Sequence, residues 1–165
     1  MFCSNCGTQL SDNTRFCGKC AYPAKGTEKL KGIGKPENIT GLWLNYVAMH
    51  SHFRFYLREK NGTVLFSYKY LKTGRGFAEQ EDLPVDFAYM HELREFIKEN
   101  DYVHLTDRDP SKRKVFVADL PSCHLELKWA DYKPLLIRSV HLPPNGDKLK
   151  EFFIGIAENI NQNVF

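Results

Sequence analysis

Cys3-Ser4-Asn5-Cys6 and Cys17-Gly18-Lys19-Cys20 place four of the chain's five cysteines within its first twenty residues. A Cys-x-x-Cys can turn back on itself so that both thiolates face one ion. Two such turns supply the closed tetrahedral shell of a structural zinc site. Disulfide or redox pairing is the competing chemistry. A redox Cys-x-x-Cys is expected at a helix start in a βαβ setting, whereas these pairs sit in a short stretch of Gly, Ser, Asn and Thr. Met1-Phe2-Cys3 leaves no room for a signal peptide before the first ligand, so the expected compartment is the reducing cytoplasm.

The same segment has little core of its own, since Phe2, Leu10, Phe16 and Tyr22 are its only sizeable apolar side chains. Burying four side chains falls short of the entropy lost in ordering the segment. Zinc coordination, worth about 10–16 kcal/mol in small metal-folded peptides, is a term of the size required. The run Phe2-Cys3-Ser4-Asn5-Cys6-Gly7-Thr8-Gln9-Leu10, with Arg15-Phe16-Cys17-Gly18-Lys19-Cys20 after it, resembles the short zinc-ribbon family found at the N-terminus of many bacterial proteins. The likeness covers residues 1–23. In that family the second cysteine of each knuckle is usually followed by glycine, which suits a left-handed backbone and lets amides point at sulfur. Gly7 fits this pattern and Ala21 departs from it. The resemblance implies one structural zinc per chain, held by Cys3, Cys6, Cys17 and Cys20, with no coordination position open to water or substrate.

Residues 24–38 contain Gly26, Gly32, Gly34 and Pro36 among Lys25, Lys29, Lys31 and Lys35, without apolar periodicity, and read as a flexible Gly/Lys linker. The formal charge of +3 falls in residues 1–38, which hold six basic and three acidic side chains. Zinc on four thiolates lowers that to about +1, well below the roughly 6–10 phosphate contacts of a protein whose affinity is electrostatic. A nucleic-acid partner is therefore only weakly supported, and the lysines read first as a solvated linker. No stretch approaches the roughly eighteen uninterrupted apolar residues of a membrane span, so a soluble protein without a membrane partner is expected.

Residues 39–165 read as one α+β domain. Asn61-Gly62 predicts a two-residue type I′ turn, which fixes Lys60 opposite Thr63, Leu57 opposite Phe66, Phe55 opposite Tyr68 and Phe53 opposite Tyr70. Phe53, Phe55, Leu57, Val64, Phe66, Tyr68 and Tyr70 then share one face; Arg54, Tyr56, Arg58, Lys60, Leu65, Ser67 and Lys69 share the other. Leu42–Met49 is apolar on both alternating sets, as a central strand would be. Helices are expected at Val85–Asn100, capped by Asn100, and at Asp147–Asn161. Further strands are expected at Lys114–Asp119, Cys123–Ala130 and Leu135–Leu142. The sum is a mostly antiparallel sheet with both helices packed on one face. In layout alone this resembles the α+β domains that follow zinc ribbons in some bacterial proteins, a likeness that implies no activity.

Candidate sites in this domain are weak as chemistry. Cys123 alternates with Leu125, Leu127 and Trp129 on a face expected to be buried, where a thiol behaves as a small hydrophobe, and His124 points the other way. His50 and His52 would share one side of a strand, but no carboxylate partner is identifiable. His91 and Glu95 lie one helical turn apart without the second histidine of a metalloprotease signature. Gly74-Arg75-Gly76 is too short for a phosphate loop and reads as a mobile connection. Arg108, Lys112, Arg113 and Lys114 form a basic loop partly offset by Asp107 and Asp109. No residue is assigned a catalytic or further cofactor-binding role.

The expected function is a non-enzymatic binding or adaptor protein that recognises a protein or small ligand through its α+β domain. The nineteen aromatic residues in 39–165 exceed what a small core needs. The alternative is a nucleic-acid-associated, transcription-related zinc-ribbon protein, with Arg15, Lys19 and the linker lysines on phosphates. The purified chain is expected to carry one zinc equivalent by metal analysis, lost in Cys17→Ser and retained in Cys123→Ser. A full tightly bound equivalent in Cys17→Ser would overturn the ligand set.

Overall fold

Asn61 (φ 52°) and Gly62 (φ 76°) both occupy the left-handed region, as a type I′ turn requires. The turn joins β2 (Ser51–Lys60) to β3 (Thr63–Lys72) in the expected register, from Lys60 opposite Thr63 to Phe53 opposite Tyr70. This is a computed structural model, and it describes residues 8, 9, 19, 33–72, 74–105 and 121–163. The chain divides into two compact units, Met1–Lys31 and Gly32–Phe165. In the first, Gln9 forms an isolated bridge and Lys19 lies in a turn. Cys3, Cys6, Cys17 and Cys20 lie outside the described residues, as do residues 24–32 and the expected strand Lys114–Asp119.

The described residues of the second unit form six antiparallel strands. β1 (Ile39–Ala48) pairs with β2 on one side and with β5 (Ser122–Trp129) on the other. β4 (Gly76–Val85) pairs with β3, and β6 (Leu135–Ser139) with β5, giving the order β4-β3-β2-β1-β5-β6. β1 is thus central, as its two-sided apolarity suggests. Leu42 and Leu44 face the core, while Trp43, Asn45 and Val47 face away from it.

Both helices cover the same face. α1 (Ala88–Glu99) contributes Met90, Leu93 and Ile97, and α2 (Gly146–Gln162) contributes Leu149, Phe153, Ile156 and Ala157, to the core formed with the sheet. Phe153 stacks on Phe55 at 5.1 Å and on Phe66 at 5.8 Å between ring centroids. α1 is also held by Arg94, which donates to the Ile39 carbonyl at 2.9 Å and to the Glu59 carboxylate at 3.0 Å. Asn100 caps α1 through its side-chain amide on the Phe96 carbonyl, 2.9 Å away. The fully buried Tyr102 then donates to the Pro144 carbonyl at 2.6 Å, tying the end of α1 to the approach of α2.

Several boundaries differ from the sequence reading, most by one to three residues. α1 begins at Ala88, three residues after the expected start, because Val85 ends a strand, Gly76–Val85, for which the sequence offers no expectation beyond the connection at Gly74-Arg75-Gly76. That strand, β4, is acidic and contains Pro84, so its composition disguises it. The last strand stops at Ser139 instead of continuing to Leu142. At the other end of the domain, residues 33–38 are packed: Trp129 donates to the Lys35 carbonyl at 2.9 Å, and Pro36–Asn38 forms a 3₁₀ turn. Gly34 is buried with the Trp129 indole where a Cβ would stand, 2.4 Å away.

Phe55→Ala is expected to cost about 3–5 kcal/mol of stability, because it empties the centre of the aromatic stack. Chemical denaturation of the zinc-loaded chain measures this, and a loss below about 1 kcal/mol would contradict the register and the packing drawn from it.

Candidate functional site

The face opposite the helices carries the remaining alternate residues of every strand and is covered by no described helix. Trp43 of β1 and Tyr56 of β2 are register partners at its centre, both half-buried. Arg58 and Lys128 lie 5.2 Å and 5.0 Å from the centroid of the Tyr56 ring, and Lys128 also donates to its hydroxyl at 3.2 Å. Tyr56 and Leu65 therefore do fall among charged residues, as the hairpin register requires. Cations cap Tyr56 and leave less of its ring free than the sequence suggests.

β4 meets β3 through a bulge. Phe66 faces Leu83 and Tyr68 faces Gln80, so Glu81 and Asp82 together oppose the single residue Ser67. Asp82 sits at φ 52°, a conformation Asp tolerates better than most residues. Its amide donates to the Ser67 hydroxyl at 2.9 Å, and its carboxylate accepts from Arg58 at 2.7 Å. That hydrogen bond is the main reason the Arg58 guanidinium titrates above its ordinary value.

Beside the bulge lies a depression of about 220 Å³, lined by Trp43, Arg54, Tyr56, Ser67, Gln80 and Glu81. Most charges around it are already paired: Arg58 with Asp82 at 2.7 Å, Lys69 with Glu79 at 3.1 Å and Lys128 with Glu126 at 3.7 Å. Arg54 reaches Glu79 only at 3.8 Å and remains 45% exposed. Exposed pairs at such separations are worth about 0–1 kcal/mol. The Glu81 side chain has no hydrogen bond or ion pair among the described residues. One cation with unused donors and one unpartnered carboxylate thus line the same aromatic-walled depression.

The residues singled out from the sequence are scattered. Cys123 is buried, as its alternation predicts, and burial pushes its thiol up to about 11. It borders a second cavity of about 260 Å³ with His104 and His141 among the lining residues. A thiol held that high is about one part in ten thousand thiolate at neutral pH, which makes it a poor nucleophile and a poor ligand. His124 faces the open side, opposite Asn45 and Arg138. His50 lies in the turn after β1, whereas His52 lies on β2 edge-on to Phe77 at 5.7 Å, so the two do not share a strand face. His91 and Glu95 are both exposed on α1. Among the described residues no three His, Cys, Asp or Glu side chains converge in a metal-like group. Arg108, Lys112, Arg113 and Lys114 lie outside the described residues. Trp43 and Glu81 escaped the sequence reading. The alternation of Leu42–Met49 put Trp43 on the side away from Leu42 and Leu44, whereas Glu81 had no face until β4 was a strand.

Residues 2–24 match the family model of the zinc-ribbon domain. The architecture is an N-terminal zinc ribbon followed by an α+β domain with a six-stranded antiparallel sheet and two helices. Zinc binding follows from that match, and the four thiols are a donor set suited to it. Comparison with curated proteins and with solved structures returns no match to the chain. No helix among the described residues is long and apolar enough to cross a membrane.

Because the folded state keeps the Cys123 thiol protonated up to about 11 while the unfolded chain ionises near 9, this residue contributes stability that is intact below pH 9. The contribution is lost as pH rises through the folded value, on the order of 2–3 kcal/mol in all. Cys123→Ala should flatten that part of the stability-against-pH curve, measured by denaturation between pH 8 and 11. Identical alkaline slopes in both chains would contradict a buried, protonated thiol.

Proposed function

We propose that the chain is a non-enzymatic zinc-ribbon binding protein of the reducing cytoplasm. Cys3, Cys6, Cys17 and Cys20 hold one structural zinc per chain, and the α+β domain captures a small ligand on its open sheet face. One observation carries the second half of this reading: Arg54 and Glu81 line the Trp43–Tyr56 depression without pairing with each other. The neighbouring cations Arg58, Lys69 and Lys128 are instead paired, with Asp82, Glu79 and Glu126. Polar groups left unsatisfied around an aromatic-walled concavity are what a ligand site needs and a merely solvated surface does not. The four-thiolate set supports a structural metal because a closed shell has no position for substrate.

The alternative, a nucleic-acid-associated role, draws less support. Paired charges are a poor track for phosphates, whose binding depends on several unneutralised cations. Retention on mixed DNA or RNA that falls steeply with salt would favour it.

The small-ligand reading is tested by amide and indole NMR of the zinc-loaded full chain, titrated with mixtures of common metabolites. Ligands are expected to shift the Trp43 indole N–H and the Glu81 amide while the Trp129 indole, which donates to Lys35, stays in place. Trp43→Ala should abolish those shifts. If every ligand that binds instead moves residues away from Trp43, the site is wrongly placed.

A further inference from the structure

We infer that the Trp43–Tyr56 depression binds the zwitterion of a free aromatic amino acid, an assignment that rests on reading this depression as the ligand site. Size sets the first limit. At about 220 Å³ the depression falls below the roughly 300 Å³ at which drug-sized sites begin, so its occupant is small.

Charge sets the second limit. A ligand that is only an anion would meet Arg54 but also face the unpartnered Glu81. One that is only a cation would meet Glu81 but face Arg54. The two side chains come from different strands, β2 and the bulged β4, with β3 between them, and they do not close on each other as an ion pair. A compact molecule bearing both charges satisfies both groups at once. Its carboxylate takes the planar fork of Arg54, and its ammonium donates to Glu81.

The bulge explains why Glu81 is available. It sets two carboxylates opposite one β3 residue, and Arg58 and Ser67 engage Asp82, leaving Glu81 over. Ser67, the residue opposite them, is small and leaves room above β3. Trp43 and Tyr56 supply the third requirement. Aromatic walls favour an aromatic side chain, through offset or edge-to-face ring contacts beyond plain burial.

The test follows the Trp43 indole N–H of the zinc-loaded full chain through titrations with L-phenylalanine, L-tryptophan, 3-phenylpropionate, 2-phenylethylamine and L-alanine. The aromatic amino acids are expected to bind. The analogues lacking the ammonium, the carboxylate or the ring should each be weaker by roughly tenfold or more. Arg54→Gln should weaken phenylalanine binding but not that of 2-phenylethylamine, and Glu81→Gln should weaken phenylalanine but not 3-phenylpropionate. Both side chains are exposed, and the amide spectrum of each variant verifies its fold. Equal binding of phenylalanine and either singly charged analogue would overturn the zwitterion assignment. If amino acids leave Trp43 unmoved at millimolar concentration while a metabolite mixture shifts it, the ligand class is wrong and the site stands. If nothing shifts Trp43, both fall.

Discussion

Phe153 of α2 lies against Phe55 and Phe66, its ring tilted by 22° and 15° from theirs, and the remainder of the domain is arranged around that contact. Two neighbouring strands present these rings on one side because their register is fixed by a two-residue turn. One helix then covers the strands at their centre. The second helix joins the same layer, since Arg94 can satisfy both the Ile39 carbonyl and Glu59 only from that side. With both helices committed to one face, the alternation of every strand delivers a second set of side chains to a face that neither helix covers.

That face, which no described helix covers, must remain compatible with water, and around its centre the solution is pairwise neutralisation. Cross-strand neighbours such as Lys69 and Glu79 contribute little energy each, but they keep a broad sheet face from presenting either apolar surface or a field of one sign. The bulge in β4 disturbs this bookkeeping by adding one residue to an edge strand. A residue inserted opposite Ser67 yields one more carboxylate than the facing strand can answer, and Arg58 can reach only one of them. The same bulge, with Pro84 and the acidic run beside it, also blunts the sheet edge against pairing with another chain. A device suited to protecting an edge thereby leaves a charge beside an aromatic depression.

Legibility in the sequence follows from how local each signal is. Asn61-Gly62 and the flanking alternation are self-contained within about twenty residues, and they yielded the β2–β3 pairing residue for residue. Asn100 was equally plain as a helix cap, because capping acts through the neighbouring turn. β4 was opaque for a physical reason. Its residues packed against the core are Ala78 before the bulge but Leu83 and Val85 after it, so the period of two slips by one residue in mid-strand. Only the pairing with β3 restores the phase. The depression was hidden in turn, since Glu81 cannot be set beside Arg54 until β4 exists. Trp43 was readable as facing away from the core, but no local signal marks an outward tryptophan as part of a site.

The five cysteines divide by sequence setting, four in Cys-x-x-Cys pairs and one alternating with apolar residues, in a way that chemistry alone accounts for. A zinc ligand must be a thiolate, and the metal repays the cost of ionisation only where several sulfurs converge. On the proposed assignment, the two Cys-x-x-Cys pairs are the thiols that would converge on the metal, in a segment whose only sizeable apolar side chains are Phe2, Leu10, Phe16 and Tyr22. Cys123 meets the opposite conditions. Its partners in the sheet are Tyr46 and Ser139, its neighbours on the same face are apolar, and burial holds its proton. Ionising it there would place a charge in the core without a counter-ion, so it remains a small hydrophobe. On the proposed assignment, metal coordination and apolar burial are separate sources of order, and one residue type does opposite work in each.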